Sequence, residues 1–264
     1  MTLPLHAWLR SVAAVLLVVG AAIALGYLWP PLAVLPLAVG LAALWAFVPQ
    51  AWPGAAFVRG RRDGDAVALT FDDGPNGEHT RAVLEVLRCE RVPATFFLLG
   101  ASARRDPALV REIVAEGHVV GSHGMSHRRL AFLSAAAVRR EVDEARAALE
   151  EAGAPRPRLF RAPHGFRSPF LTGALAAAGQ RLCAWTAGVW DTDRPGDAVI
   201  AERARRALRP GAVLLLHDGG LGADRSQTAA ALPSIIAAAR ARGLRLVTLP
   251  ELMREAGRLE EAAA

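Results

Sequence analysis

From Val67 onward one pattern recurs: a short apolar run, a turn, then ten or more residues whose apolar side chains fall three and four apart. Apolar runs that alternate with amphipathic helices pair in parallel, because each helical crossover returns the chain in the same direction. The predicted strands are 67–71, 94–98, 118–122, 159–161, 181–185, 213–217 and 245–248. Helices are predicted over 80–91, 107–116, 134–152, 168–178, 197–207 and 228–242. Such a series closes into a barrel or opens into a doubly wound sheet, and periodicity does not choose between them. In either case functional groups collect at the strand C-termini.

The polar residues obey that rule. Asp72 and Asp73 follow the first strand, and His123 and His127 follow the third. Arg161 ends the fourth, Asp191 and Asp193 follow the fifth, and His217 with Asp218 ends the sixth. Randomly placed carboxylates and imidazoles would fall on helices and opposite loops as well, so a shared rim is a functional signal.

The chain before this pattern is different in kind. No charged residue lies between Arg10 and Arg59. The run 11–29 is long enough to span a bilayer; the run 32–48 is slightly short and contains Pro36. Tyr27 and Trp29 at the end of the first run, with Pro30 and Pro31 after it, suit a turn at the headgroup layer, so the two runs read as a membrane hairpin. Residues 1–58 are thus predicted to be a membrane anchor, 59–256 a catalytic domain and 257–264 a tail. The rival reading is a cleavable signal peptide, with Arg10 as its charged region and Ala22-Ile23-Ala24 as its processing site. By the positive-inside rule, Arg10 on one side and Arg59, Arg61 and Arg62 on the other put both ends in the cytoplasm.

Charge points away from nucleic acid. All 31 basic residues are Arg, against 25 acidic residues, giving a net charge of +6. They are interleaved with acids, as in Arg139-Arg140-Glu141 and Glu144-Ala145-Arg146, which reads as solvated helix faces. Cys89 and Cys183 read as two free buried thiols.

Four short segments carry chemistry. Thr70-Phe71-Asp72-Asp73-Gly74-Pro75 sets two carboxylates side by side at a strand end; adjacent residues on an extended chain point opposite ways, so one faces a metal and the other water or substrate. His123 and His127 have the spacing that a helical turn aims in one direction, and with Asp73 they form a two-His, one-Asp face open to water and substrate. In Arg161-Ala162-Pro163-His164-Gly165, a buried Arg beside Asp72 would orient that carboxylate, and the turn could direct a backbone N–H inward. Leu216-His217-Asp218 ends an apolar strand in a His suited to general acid work.

These segments resemble the polysaccharide deacetylases, carbohydrate esterase family 4, from about Val67 to Leu252. Their motifs occur in order: Thr70 to Pro75, His123 with His127, Arg161-x-Pro163-x-Gly165, Trp185 through Asp191, and Leu216-His217-Asp218. The resemblance implies a distorted (β/α)7 barrel that removes N-acetyl groups from amino-sugar residues of a glycan, whether peptidoglycan, chitin-like or lipid-linked. It implies Asp72 as general base, and a divalent metal, zinc first with cobalt or manganese as alternatives, on Asp73, His123 and His127. His217 would protonate the departing amine and Arg161 would restrain Asp72. Asp191 would orient His217, with Asp193 in reserve. Pro163, His164 and Gly165 would line the substrate with a main-chain N–H near the oxyanion, and Trp190 and Leu215 would wall the acetyl methyl group. Asp224-Arg225 reads as a surface turn.

This sequence departs from the family at three places. Gly124 stands where Ser or Thr is usual, removing a local hydrogen bond. His164 occupies a position more often aromatic. Val189-Trp190-Asp191-Thr192-Asp193 replaces the usual Asp-x-x-Asp-Trp. Glycans also imply an extracytoplasmic catalytic domain at the cell membrane, against the arginine count. An N-deformylase acting on a lipid-carried sugar is the alternative within the same chemistry. A catalytically inactive glycan-binding protein is the alternative outside it.

Overall fold

The computed structural model describes residues 56–259 except 167, 221 and 222, together with isolated helical positions at 17, 20, 21, 36 and 38–40. Apart from those positions, the predicted hairpin 11–29 and 32–48 and the Ala22-Ile23-Ala24 site lie outside the described residues. Among the described residues no helix is long and apolar enough to cross a membrane.

Eight strands form one sheet: β1 (Ala66–Asp72), β2 (Thr95–Leu98), β3 (Val119–Ser122), β4 (Leu159–Phe160), β5 (Arg181–Leu182), β6 (Ala187–Gly188), β7 (Val213–His217) and β8 (Arg245–Val247). Their order is β5-β4-β3-β2-β1-β7-β6, with β8 beside the lower part of β1, and every ladder is parallel. The sheet curls, as a β/α barrel requires, but β5 and β6 do not pair with each other. Phe57 bridges to Cys183, and Val58 O accepts a hydrogen bond from Thr186 Oγ1 at 3.1 Å, so the chain's entry strap occupies that seam. The strand β6 has only two residues, too few for any period, which is why the expectation of seven strands falls one short.

Alternation along β1 and β7 builds two apolar layers. Ala66, Ala68 and Val213 face the inside of the curl with Phe97, Leu159 and Cys183, while Val67, Leu69, Phe71, Leu214 and Leu216 pack outward against helices. Burial on both faces explains why these strands read as unbroken apolar runs. Polar positions on the inner face then stand out: Thr70, Asp72 and His217 share the face of Ala66 and Val213.

The helices are α1 (Gly77–Glu90), α2 (Gly100–Arg105), α3 (Pro107–Ala115), α4 (Ala135–Glu151), α5 (Leu171–Ala178), α6 (Asp197–Ala207), α7 (Ser226–Arg240) and α8 (Leu249–Glu255). Side-chain caps start three of them: Asp106 accepts from Leu109 N, Ser134 from Ala137 N and Thr248 from Glu251 N. The helix α2 was not expected, because six residues carry less than two turns of periodicity. The helix α8 closes the lower mouth of the curl, where Leu249, Leu252 and Met253 pack with the inner layer. Phe57 and Leu259, both outside the predicted bounds of 59–256, pack against the same cluster. Cys183 is buried as expected, but Cys89 is exposed: the buried face of α1 runs through Thr80, Val83, Leu84 and Leu87 and leaves position 89 outside.

Candidate active site

Three ligand-type side chains converge at the rim. β1 ends at Asp72, and the chain then turns at Asp73, which has φ 75°. His123 follows β3 directly, its N–H bonded to Leu98 O at 2.8 Å. Its Nδ1 lies 2.9 Å from Arg161 O. A carbonyl can only accept, so Nδ1 carries the hydrogen and Nε2 keeps a lone pair for a ligand. That Nε2 lies 3.4 Å from Asp73 Oδ1, and His127 Nε2 lies 3.0 Å from the same oxygen. Asp73 Oδ1 is buried and makes no hydrogen bond, so its lone pairs converge with two imidazole nitrogens, all within 4.8 Å of one another. One carboxylate and two imidazoles fit a divalent cation of zinc type with positions left open. Burial alone would raise the Asp73 pKa, but the facing imidazoles outweigh it and hold the group well below the usual carboxylate range.

The backbone between the two histidines is not the expected helical turn. Gly124 has φ 83° and His127 φ 58°, both left-handed, and the segment runs as a loop. Gly100 N and Ala101 N at the start of α2 donate to Gly124 O and Met125 O, at 3.0 and 2.9 Å. On the other side Met125 N and Ser126 N donate to Glu141 Oε2 at 2.9 and 3.0 Å, and the Ser126 hydroxyl donates to Glu141 Oε1. Glu141 is 7% exposed, so the reading of Arg139-Arg140-Glu141 as a solvated face fails at its last residue. It shares the buried side of α4 with Val138, Val142 and Ala145.

Asp72 and Asp73 do not point to opposite sides as adjacency predicts, because the left-handed backbone of Asp73 brings both carboxylates to His123 Nε2. Arg161, fully buried, donates from Nη1 to Asp72 Oδ1 at 2.7 Å and to Thr70 Oγ1 at 2.8 Å, and from Nη2 to Ala184 O at 2.9 Å. The Arg161 guanidinium lies 4.1 Å from the centroid of the Phe97 ring. Asp72 Oδ2 faces the cluster, 3.7 Å from His123 Nε2.

His217 stands beside Asp72 in register. Asp191, not Asp193, holds it: Asp191 Oδ1 lies 2.8 Å from His217 Nδ1, and Oδ2 accepts from His217 N at 2.8 Å and from Thr228 Oγ1 at 2.9 Å. Asp191 is buried and Asp193 exposed. Burial opposes the charged form of His217, yet Asp191, Asp72 and Asp73 together raise its pKa above the ordinary imidazole value. Burial likewise works against the charged form of Asp191, and its bonds to His217 still lower its pKa. Thr228 had no local signal in the sequence, since it lies on α7.

The remaining predicted residues border this centre. Pro163, His164 and Gly165 form a 3₁₀ turn after β4 in which His164 takes φ 58°. Its exposed ring lies 4.2 Å from the His127 ring, and its Nε2 is 3.3 Å from His127 O. Leu215 lies on the inner face of β7 two residues before His217, and Trp190 leads into Asp191 with φ 56°. Asp224 pairs with Arg194 at 2.7 Å on the surface, whereas Arg225 is buried and donates to Gly219 O, so the expected surface turn holds only for the first of the two. Asp73, His127, His164 and Trp190 are four of the six non-glycine residues with positive φ among the described residues. Strained backbone gathered at one rim marks a functional site.

Residues 59–183 match the sequence family described as polysaccharide deacetylase. A chitooligosaccharide deacetylase of Sinorhizobium fredii is 40% identical over 195 residues, covering 70% of this chain and 91% of that protein. A peptidoglycan-N-acetylglucosamine deacetylase of Bacillus cereus is 35% identical over 193 residues, 71% of this chain and 88% of the relative. A solved peptidoglycan N-acetylglucosamine deacetylase, in complex with 4-naphthalen-1-yl-N-oxidanyl-benzamide, superposes with a TM-score of 0.72 at 31% identity, over 75% of this chain and 92% of that one.

Proposed function

The chain belongs to the polysaccharide deacetylase family, hydrolases of N-acetyl amide bonds, and from that membership we propose that it deacetylates amino-sugar residues of a chitin-like or peptidoglycan glycan with a divalent cation held by Asp73, His123 and His127. The observation that carries this reading is the convergence of Asp73 Oδ1 with two imidazole nitrogens beside two further buried acid–base pairs, Asp72 with Arg161 and His217 with Asp191. The cation, zinc in the first instance, supplies Lewis-acid polarisation and lowers the pKa of water. Every other part of the reaction falls to the chain itself. Asp72 Oδ2 accepts the proton of the attacking water, while Arg161 keeps that carboxylate from turning away. His217 gives the proton at Nε2 to the departing amine, because Nδ1–H is committed to Asp191. The main-chain N–H of His164 serves the oxyanion, and Leu215 and Trp190 wall the methyl group.

The membrane setting belongs to the same proposal. Residues 1–58 anchor the chain through 11–29 and 32–48, with the catalytic domain on the extracytoplasmic side where such glycans lie. A C-terminal reporter fusion tests the orientation; a cytoplasmic reporter would overturn it.

Acetate release from N-acetylchitooligosaccharides and from peptidoglycan, by the zinc-loaded full chain, tests the activity. Asp72→Asn and His127→Ala should each lower the rate by about 10²–10⁴-fold. Equal release from wild type and both variants would sink the proposal, and no release from any of them would favour an inactive glycan-binding protein.

A further inference from the structure

We propose that Glu141 is a positioning residue that sets the metal affinity of this site by fixing the loop between His123 and His127; the inference rests on the metal reading above. The loop must hold two left-handed residues, Gly124 and His127, and for His127 that backbone is disfavoured unless something imposes it. Its polar groups are tied down on two sides. The carbonyls of Gly124 and Met125 are taken by the first N–H groups of α2, and the N–H groups of Met125 and Ser126 by the single carboxylate of Glu141. Gly124 has no side chain to make such a tie, and a Cβ built there would lie 3.5 Å from Glu141 Oε2, so the carboxylate sits directly beneath the loop. Gly100 on the α2 side is closer still, since a Cβ there would lie 2.6 Å from Met125 Sδ and 2.8 Å from Ala145 Cα. Between α2 and α4 the loop therefore has one arrangement, and His127 follows Ser126 directly.

The hydrogen bonds of Glu141 go to Met125 and Ser126 and not to Asp73, His123 or His127. Its carboxyl group matters because its two oxygens take three hydrogen bonds at once, two from N–H groups and one from the Ser126 hydroxyl. Without it two N–H groups lose their partner, the loop samples other conformations, and binding the cation must restore the order. Outer groups that hold a metal ligand in place are typically worth about 10–100-fold in affinity.

The test is a Zn²⁺ competition titration and a Co²⁺ absorption spectrum on the full chain. Glu141→Ala should raise Kd by about 10–100-fold and change the Co²⁺ band. Glu141→Gln should stay near wild type, since its amide oxygen still accepts both N–H groups and its NH₂ can donate to Ser126 Oγ. Leu109→Ala, buried on α3 away from the loop, is the control: it should lower Tm and leave Kd unchanged. An unchanged Kd and spectrum in Glu141→Ala would overturn the role of Glu141 while leaving the metal site standing. Equal weakening by Leu109→Ala would overturn it too, by reducing the effect to general destabilisation. A wild type that binds neither ion would overturn the metal reading itself.

Discussion

The strands β1 and β7 run seven and five residues and pair over Ala68–Asp72, whereas β4, β5 and β6 have two residues each. The long-stranded side carries the groups to which the proposal gives the reaction: Asp72, Asp73 and His217 at the ends of β1 and β7, and His123 and His127 after β3. The short-stranded side supplies Arg161, Pro163 to Gly165, Trp190 and Asp191, which grip those groups from behind or border them. A regular ladder fixes Cα positions through many equivalent bonds. Where it is only two residues long, individual side-chain bonds do the positioning, while left-handed residues follow the strands on both sides, Asp73 and His127 on the long and His164 and Trp190 on the short. Damage to the first side should therefore abolish chemistry, and damage to the second should loosen orientation and shift proton affinities.

The largest effect should come from the long-stranded side. His123→Ala, or a chelator applied to wild type, should bring acetate release to background, and added Zn²⁺ should restore only the chelated wild type. Restoration of His123→Ala to full rate would break the comparison at its root.

Arg161→Met comes next, and it should injure both stability and rate. It leaves Asp72 as a buried carboxylate without its guanidinium, a loss of about 3–5 kcal/mol. In a domain of this size that lowers Tm by about 10 °C. An unchanged Tm would mean that the short-stranded side contributes no grip on Asp72.

Asp191→Asn should act through pH. The folded-state pKa of His217 is raised above 6.5, so its imidazolium stabilises the fold fully below that value, and the stabilisation is lost as pH rises through the folded pKa. In its proposed role as proton donor to the amine, His217 must be protonated and would set the alkaline limb of kcat/KM. Replacing Asp191 removes the largest of the charges that raise this pKa, so the alkaline limb should move to lower pH and the variant should lose more activity above neutrality than below it. An alkaline limb that stays in place would assign the proton donor elsewhere.

The sequence carries these two sides unequally. Strand ends on the long side were legible because both faces of β1 and β7 are buried, which makes Asp72 and His217 conspicuous after apolar runs. On the short side the sequence ranks Asp191 first and keeps Asp193 in reserve, and only the bond of the one to His217 and the exposure of the other separate them. The pair His123 and His127 was legible as ligands but not in conformation. Four-residue spacing matches a helix, and what prevents one is the left-handed Gly124 together with Glu141 and α2, which no local pattern connects. Glu141 itself was hidden among charges of a helix, since a buried acid and a solvated one look alike until the partner is seen.

The smallest expected effect is at His164, where the short-stranded side meets solvent. Its φ of 58° and ψ of 5° are left-handed, a conformation that Asn adopts more readily than His. His164→Asn would relieve that strain and at the same time lose the ring contact with His127 at 4.2 Å. The two changes oppose each other, so stability should move by less than about 0.5 kcal/mol, the usual range for an exposed substitution. The hydrogen bond of His164 goes to His127 O and none reaches Asp72, Asp191 or His217, so kcat should hold, and any change should fall on KM, as the proposed substrate-lining place of this exposed ring requires. Thermal melting and steady-state kinetics with oligosaccharides of increasing length separate these effects. A loss as large as that of Arg161→Met would show that the exposed rim of the short-stranded side grips the catalytic groups as firmly as its buried interior does.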